Sequence, residues 1–110
     1  MSKKIFISLP YTHDDKEVMY WRANHARDMM VQITRDGNSP VCPVVIGLDI
    51  LRHDPQITMS YDEWLDFSLT YMQGCDEMWL LCIDGHEKSV GVSEEIKLAI
   101  SMGINIVKVM

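Results

Sequence analysis

The segment Ser89-Val90-Gly91-Val92-Ser93-Glu94-Glu95-Ile96 sets two adjacent carboxylates at a helix start, directly after an apolar run. Val92, Ile96, Ala99, Ile100 and Gly103 recur at helical spacing and form the expected buried stripe. Glu95 follows Val92 by three and precedes Ala99 by four, so it borders that stripe and turns toward the sheet edge. Glu94 shares its face with Lys97 and Leu98 and is expected to meet water. A plain alternative is that both are first-turn acids favoured by the helix dipole. The chemical reading is glycosyl transfer on a nucleotide, which an inward glutamate, a tyrosine (Tyr11) and a Ser-x-Gly helix start would suit. Breaking a C1′–N bond develops oxocarbenium character, which a carboxylate below the ring stabilises or captures as a covalent ester. Ser89 with the Gly91 and Val92 amides could hold a phosphate through free N–H groups and the helix dipole. The departing base needs a proton, so a general acid is wanted. Asp84, at the end of the preceding strand, could be that acid or a 2′/3′-hydroxyl contact, or simply a turn former before Gly85.

The elements that must position these groups follow from periodicity. Lys4 to Leu9 is a short buried strand ended by Pro10, and Tyr11-Thr12-His13-Asp14-Asp15 is a polar loop. A helix is expected from about Asp15 to Arg35, with Ala26, Met29, Met30 and Ile33 on its apolar face. Asp14 and Glu17 suggest a capping box there. Gly37-Asn38 ends this helix. Val41 to Ile46 is β-branched and interrupted by Pro43, which predicts an edge strand. No period holds from Gly47 to Met59, a stretch expected to cover one side of a cleft. Ser60-Tyr61-Asp62-Glu63 is an S-x-x-E box opening a helix to about Gln73, with Tyr61, Trp64, Leu65, Ser68 and Met72 on one face. Glu77 to Ile83 is the central strand and Ile104 to Val109 the last.

Four strands alternating with three helices predict an α/β fold, a small Rossmann-like (flavodoxin-like) parallel four-stranded sheet flanked by helices. Right-handed crossovers place loops 9–15, 47–60 and 84–93 at the carboxyl ends of the strands. Tyr11, His13, Asp49, Asp84, Ser89 and Glu95 are then expected on one rim, with His86 as a further rim residue and Arg52 within reach of a phosphate.

The 110 residues suit one domain, 1–110. A net charge of −6 without a basic block argues against nucleic-acid binding. No apolar run is long enough for a membrane span, and Met-Ser-Lys-Lys-Ile-Phe lacks signal-peptide architecture, so a cytoplasmic address is expected. Cys42, Cys75 and Cys82 have neither disulfide nor zinc spacing, and His25 and His53 lack metal-ligand partners, so neither metal nor cofactor is expected. Trp64 and Trp79 fall in apolar patterns and are expected in the core.

The chain resembles the nucleoside 2-deoxyribosyltransferase and nucleoside 5′-monophosphate N-hydrolase superfamily, and within it a small branch with a Ser-Pro-Tyr-Ser-His-type first loop. The matching residues are Ser8-Leu9-Pro10-Tyr11-Thr12-His13, and then Cys75-Asp76, Asp84-Gly85, Ser89-x-Gly91-Val92-x-x-Glu95-Ile96-x-x-Ala99 and Gly103. The resemblance implies Glu95 as nucleophile. It implies a phosphate contact at Ser89, where the transferases tend to carry aspartate, and so tilts toward hydrolysis of a monophosphate. Relatives often have tyrosine at Phe6, a position that bears on the 2′-hydroxyl. They commonly have an acid-assisting aspartate eight before Asp76, where this chain has Ser68. Pro10, Tyr11 and His13 would line the substrate site. The expectation is a nucleotide N-glycosidase acting on a small-molecule nucleotide, with no nucleic acid and no membrane partner. The alternatives are a deoxyribosyltransferase or a non-catalytic nucleotide-binding module. Longer relatives share sites between subunits, which implies a homo-oligomer.

Overall fold

The computed structural model describes residues 2–110. In chain order it comprises β1 (Lys4–Ser8), α1 (Lys16–Arg35), β2 (Ser39–Val41), α2 (Pro43–His53), α3 (Tyr61–Met72), β3 (Glu77–Leu81), α4 (Val90–Ser101) and β4 (Asn105–Val109). A short 3₁₀ turn, His86–Lys88, precedes α4. The sheet order is β2-β1-β3-β4, parallel throughout, with Phe6 opposite both Val41 and Met78 and Met78 opposite Ile106. This is the expected Rossmann-like α/β arrangement. The chain leaves β1 to one side for β2 and returns on the other for β3. A crevice therefore opens at the carboxyl end of β1, where the direction of winding reverses.

Side chains alternate across each strand, so β1 serves two cores. Ile5 and Ile7 join Ala26, Ile33, Cys42 and Val45 beneath α1 and α2. Phe6 faces the other way, into a cluster with Met72, Met78 and Ala99 beneath α3 and α4. The S-x-x-E box is present as read: Ser60 Oγ accepts from the Glu63 amide, and the Glu63 carboxylate accepts from the Ser60 amide.

Several sequence expectations are corrected. The strand expected at Val41–Ile46 is only Ser39–Val41, and Pro43 opens a helix instead of interrupting a strand. Proline fits the first helical position because its fixed φ suits the turn and its missing N–H has no intrahelical acceptor to lose. The second half of that helix occupies 47–53, where no period is visible, so the described residues form four α-helices rather than three. Asp15, not Asp14, caps α1, accepting from the Glu17 amide at 2.9 Å. On α4 the buried residues are Val92, Glu95 and Ala99; Ile100 is 67% exposed, and Gly103, in the turn after the helix, is exposed too. Glu95 thus lies within the buried face rather than along its border.

Among the described residues, no helix is long and apolar enough to cross a membrane.

Candidate active site

A cleft of about 710 Å³ opens at the carboxyl end of the sheet. Pro10 and Tyr11 come from the β1–α1 loop, and α1 contributes Arg22. Val44, Gly47 and Leu51 of α2 face Trp64, Phe67 and Ser68 of α3. Lys88, Ser89, Gly91 and Glu95 complete it from the α4 side. One half of the cleft is apolar and aromatic, the other carries two cations and a helix start, and Glu95 is its one carboxylate among the described residues.

Glu95 is brought there by two periodicities. Phe6 and Ala99 share a core layer. Two residues farther along β1 is Ser8, on the same strand face, and one turn back along α4 is Glu95. The Ser8 hydroxyl donates to Glu95 Oε1 at 2.8 Å, with Ser8 1% and Glu95 9% exposed. Burial pushes the Glu95 carboxyl up to about 7, against the hydroxyls of Ser8 and Ser68, which favour its charged form. The group therefore exchanges its proton near neutrality, a range useful to both a nucleophile and a proton carrier. Glu94 is half-exposed and pairs with Lys97 at 3.3 Å on the face it was expected to share with that residue.

Ser89 caps α4, and its Oγ accepts from the Val92 amide at 3.2 Å. The Val92 N–H expected to meet a phosphate is therefore engaged, leaving the serine hydroxyl proton and the first helical amides to face the cleft. A Cβ at Gly91 would meet only Ser89 Oγ at 3.9 Å, so the glycine leaves open space beside the serine. Tyr11 is half-buried, and burial pushes its phenol up, so it is an O–H donor at neutral pH.

Pro10, Tyr11, Ser68, Ser89, Gly91 and Glu95 are thus brought together. Phe6, His13 and Asp84 are not. Phe6 is fully buried in the lower core. His13 is exposed, and its Nδ1 accepts from the Asp15 amide at 2.9 Å, which holds the turn before α1. Asp84 is exposed and gives its backbone carbonyl, not its carboxylate, to the interior, accepting from Arg22 Nη2 at 3.0 Å. Asp49 faces out from α2, His86 binds the Ile83 carbonyl, and Arg52 lies 5.7 Å from the centre of the Tyr20 ring.

Ser8, Arg22, Lys88 and Trp64 are among the contributors that were not anticipated. Ser8, a polar residue ending a buried strand, was legible as an anomaly. Arg22 lies one turn before Ala26 on the buried face of α1, a charge at a core position that helical spacing would have flagged. Lys88 had no such signal. Trp64, expected in the core, is a cleft wall: its ring lies against Gly47, where a Cβ would come within 2.8 Å of it. Among the described residues, no three His, Cys, Asp or Glu side chains gather as a metal site. Burial pushes the Cys42 thiol up to about 12, so it is a protonated core residue.

No curated protein matches the chain. Residues 3–110 match the family described as Domain of unknown function (DUF1937), and the chain belongs to that family.

Proposed function

We propose that the cleft binds a nucleoside 5′-monophosphate and that Glu95 cleaves its C1′–N bond. The observation that carries this reading is the Glu95 carboxyl, buried at the cleft floor and held by Ser8, between an aromatic wall and a serine-capped helix start. The base would lie against Trp64 and Phe67, and the phosphate at Ser89 with Lys88 supplying countercharge. The Glu95 carboxylate forms a bond to C1′ as the C1′–N pair departs with the base. Tyr11, a phenol lining the cleft from the β1–α1 loop, delivers the proton the base takes. Water then attacks C1′, breaks the glycosyl ester, returns its proton to the Tyr11 phenolate and releases the sugar 5-phosphate.

A second reading, a nucleotide-binding module without turnover, is favoured by one observation. With serine at position 68 and Asp84 outward, there is no second carboxyl in the cleft among the described residues to act as acid.

The test is a chromatographic screen of purified protein against ribo- and deoxyribonucleoside 5′-monophosphates, beside Glu95→Gln. Free base formed by the unmodified protein alone supports the N-glycosidase. Release that requires an added acceptor base makes it a transferase. No base, with nucleotides still raising the melting temperature, makes it a binding module.

A further inference from the structure

Arg22 is 7% exposed, and its guanidinium has no carboxylate within ion-pair distance among the described residues. A buried cation requires compensating partners. Here they are backbone carbonyls from two separate loops. Nη1 donates to Thr12 O at 3.1 Å and to Tyr11 O at 3.4 Å, and Nη2 donates to Asp84 O at 3.0 Å. The first two carbonyls belong to the loop that carries Tyr11, the third to the loop that leads through His86–Lys88 to Ser89. Gly85 completes the fit. Its φ is +91°, and a Cβ there would lie 2.7 Å from Arg22 Nη2, so only glycine gives both the turn and the room. The planar fork of arginine can reach three carbonyls at fixed angles, whereas a lysine ammonium on a flexible stem cannot hold that geometry.

We infer that Arg22 is a positioning residue that ties the two rim loops into one unit, so that Tyr11 is set by a single side chain relative to Ser89 and Glu95, which α4 already holds together. Its importance to a ligand rests on the reading of the cleft as a substrate site; the coupling of the loops does not. Among the described residues, no other hydrogen bond or ion pair joins the two loops across the rim. Within the first, Asp15 N–H is held by His13, and within the second, the amides of His86, Lys88 and Ser89 are held by carbonyls of residues 83–86.

The test is amide hydrogen exchange on Arg22→Lys and on Gly85→Ala, without substrate. The reporters are Asp15 and Glu17 for the first loop and His86, Lys88 and Ser89 for the second. Exchange in both loops is expected to rise together, on the order of tenfold, with β1 and β3 amides unchanged. Gly85→Ala is decisive because it keeps Arg22 and alters only the second loop. Faster exchange at Asp15 and Glu17 in that variant follows from the tie and not from local disturbance. Change confined to residues 84–89 would overturn the inference, as would an Arg22→Lys variant with both loops as protected as before. For Arg22→Ala, millimolar guanidinium ion is expected to restore protection in both loops, and calorimetry with ribose 5-phosphate is expected to show affinity recovered in parallel. Protection restored without recovery of that affinity would limit Arg22 to holding the fold and remove its positioning role. If the unmodified protein releases no base while the variants show the paired exchange, the glycosidase reading fails and the tie stands.

Discussion

The Ser8 hydroxyl meets Glu95 Oε1 across 2.8 Å although the two residues stand 87 positions apart. The contact needs both the parallel pairing that centres β1 and the α4 register that points Glu95 down the sheet. The donor lies on the face of β1 that otherwise carries Phe6, so the layer above the core holds a hydroxyl and a carboxyl where more apolar packing would be cheaper. Such a departure from the apolar rule, at the open end of a sheet, is where chemistry is expected.

Ser8→Ala removes a donor that favours the ionised carboxylate. The Glu95 carboxyl is expected to move above about 7, and the ascending limb of kcat/KM against pH to move up with it. A loss of about 1–3 kcal/mol in stability accompanies the lost buried bond. Carbon NMR titration of the Glu95 carboxyl checks the direction, and a downward shift would remove Ser8 from the account.

Glu95→Gln separates the cost of the site from its use. The folded carboxyl, at about 7, lies above its ordinary 4.5. Below the lower value both folded and unfolded chains are protonated, and the group costs nothing. As pH rises between the two values the unfolded chain ionises first, and stability falls. Above the upper value the penalty is full, on the order of 3 kcal/mol. The glutamine variant, isosteric and uncharged, is expected to melt near the parent at about pH 5 and clearly higher at about pH 8. Equal melting shifts at both values would mean that Glu95 is not held in a desolvated site.

Ser89→Asp keeps the helix cap, since aspartate serves as well as serine at that position, but places a negative charge beside the proposed phosphate. Melting temperature should hold while the Kd for ribose 5-phosphate rises roughly tenfold or more. Undiminished binding would move the phosphate away from α4.

The architecture was legible because apolar runs and amphipathic stretches alternate along nearly the whole chain. It failed at Val41–Ile46, where β-branched residues suggest a strand and Pro43 suits either an edge strand or a helix start. Burial of Cys42 and Val45 with Ile5, Ile7 and Ala26 accompanies the helix, and no local feature shows that. Glu95 and Ser68 were legible because helices fix side-chain direction through their period, and Ser89 because a Ser-x-Gly run marks a helix start. Phe6 was misplaced because the resemblance, not the β1 alternation, assigned it to the site. His13 and Asp84 lie in loops, where residue type says nothing of which way the side chain turns. Asp84 matters through its carbonyl, an atom every residue has, so its identity carried no signal.

Gly47 and Trp64 show the same limit and give a prediction. A glycine inside a helix has no periodic explanation, yet here its missing Cβ lets the indole lie against the backbone. Gly47→Ala is expected to displace Trp64, change its fluorescence and cost about 1–3 kcal/mol by overpacking, despite alanine's better helix propensity. A stabilised variant with unchanged emission would mean that the contact does not position the ring.

The most direct measurement is peptide mapping by mass spectrometry of protein quenched during turnover of a nucleoside 5′-monophosphate that it hydrolyses. The account predicts a sugar-phosphate ester on the peptide carrying Glu95, absent from Glu95→Gln. Release of free base with Glu95 unmodified, and with Glu95→Gln equally active, would contradict it.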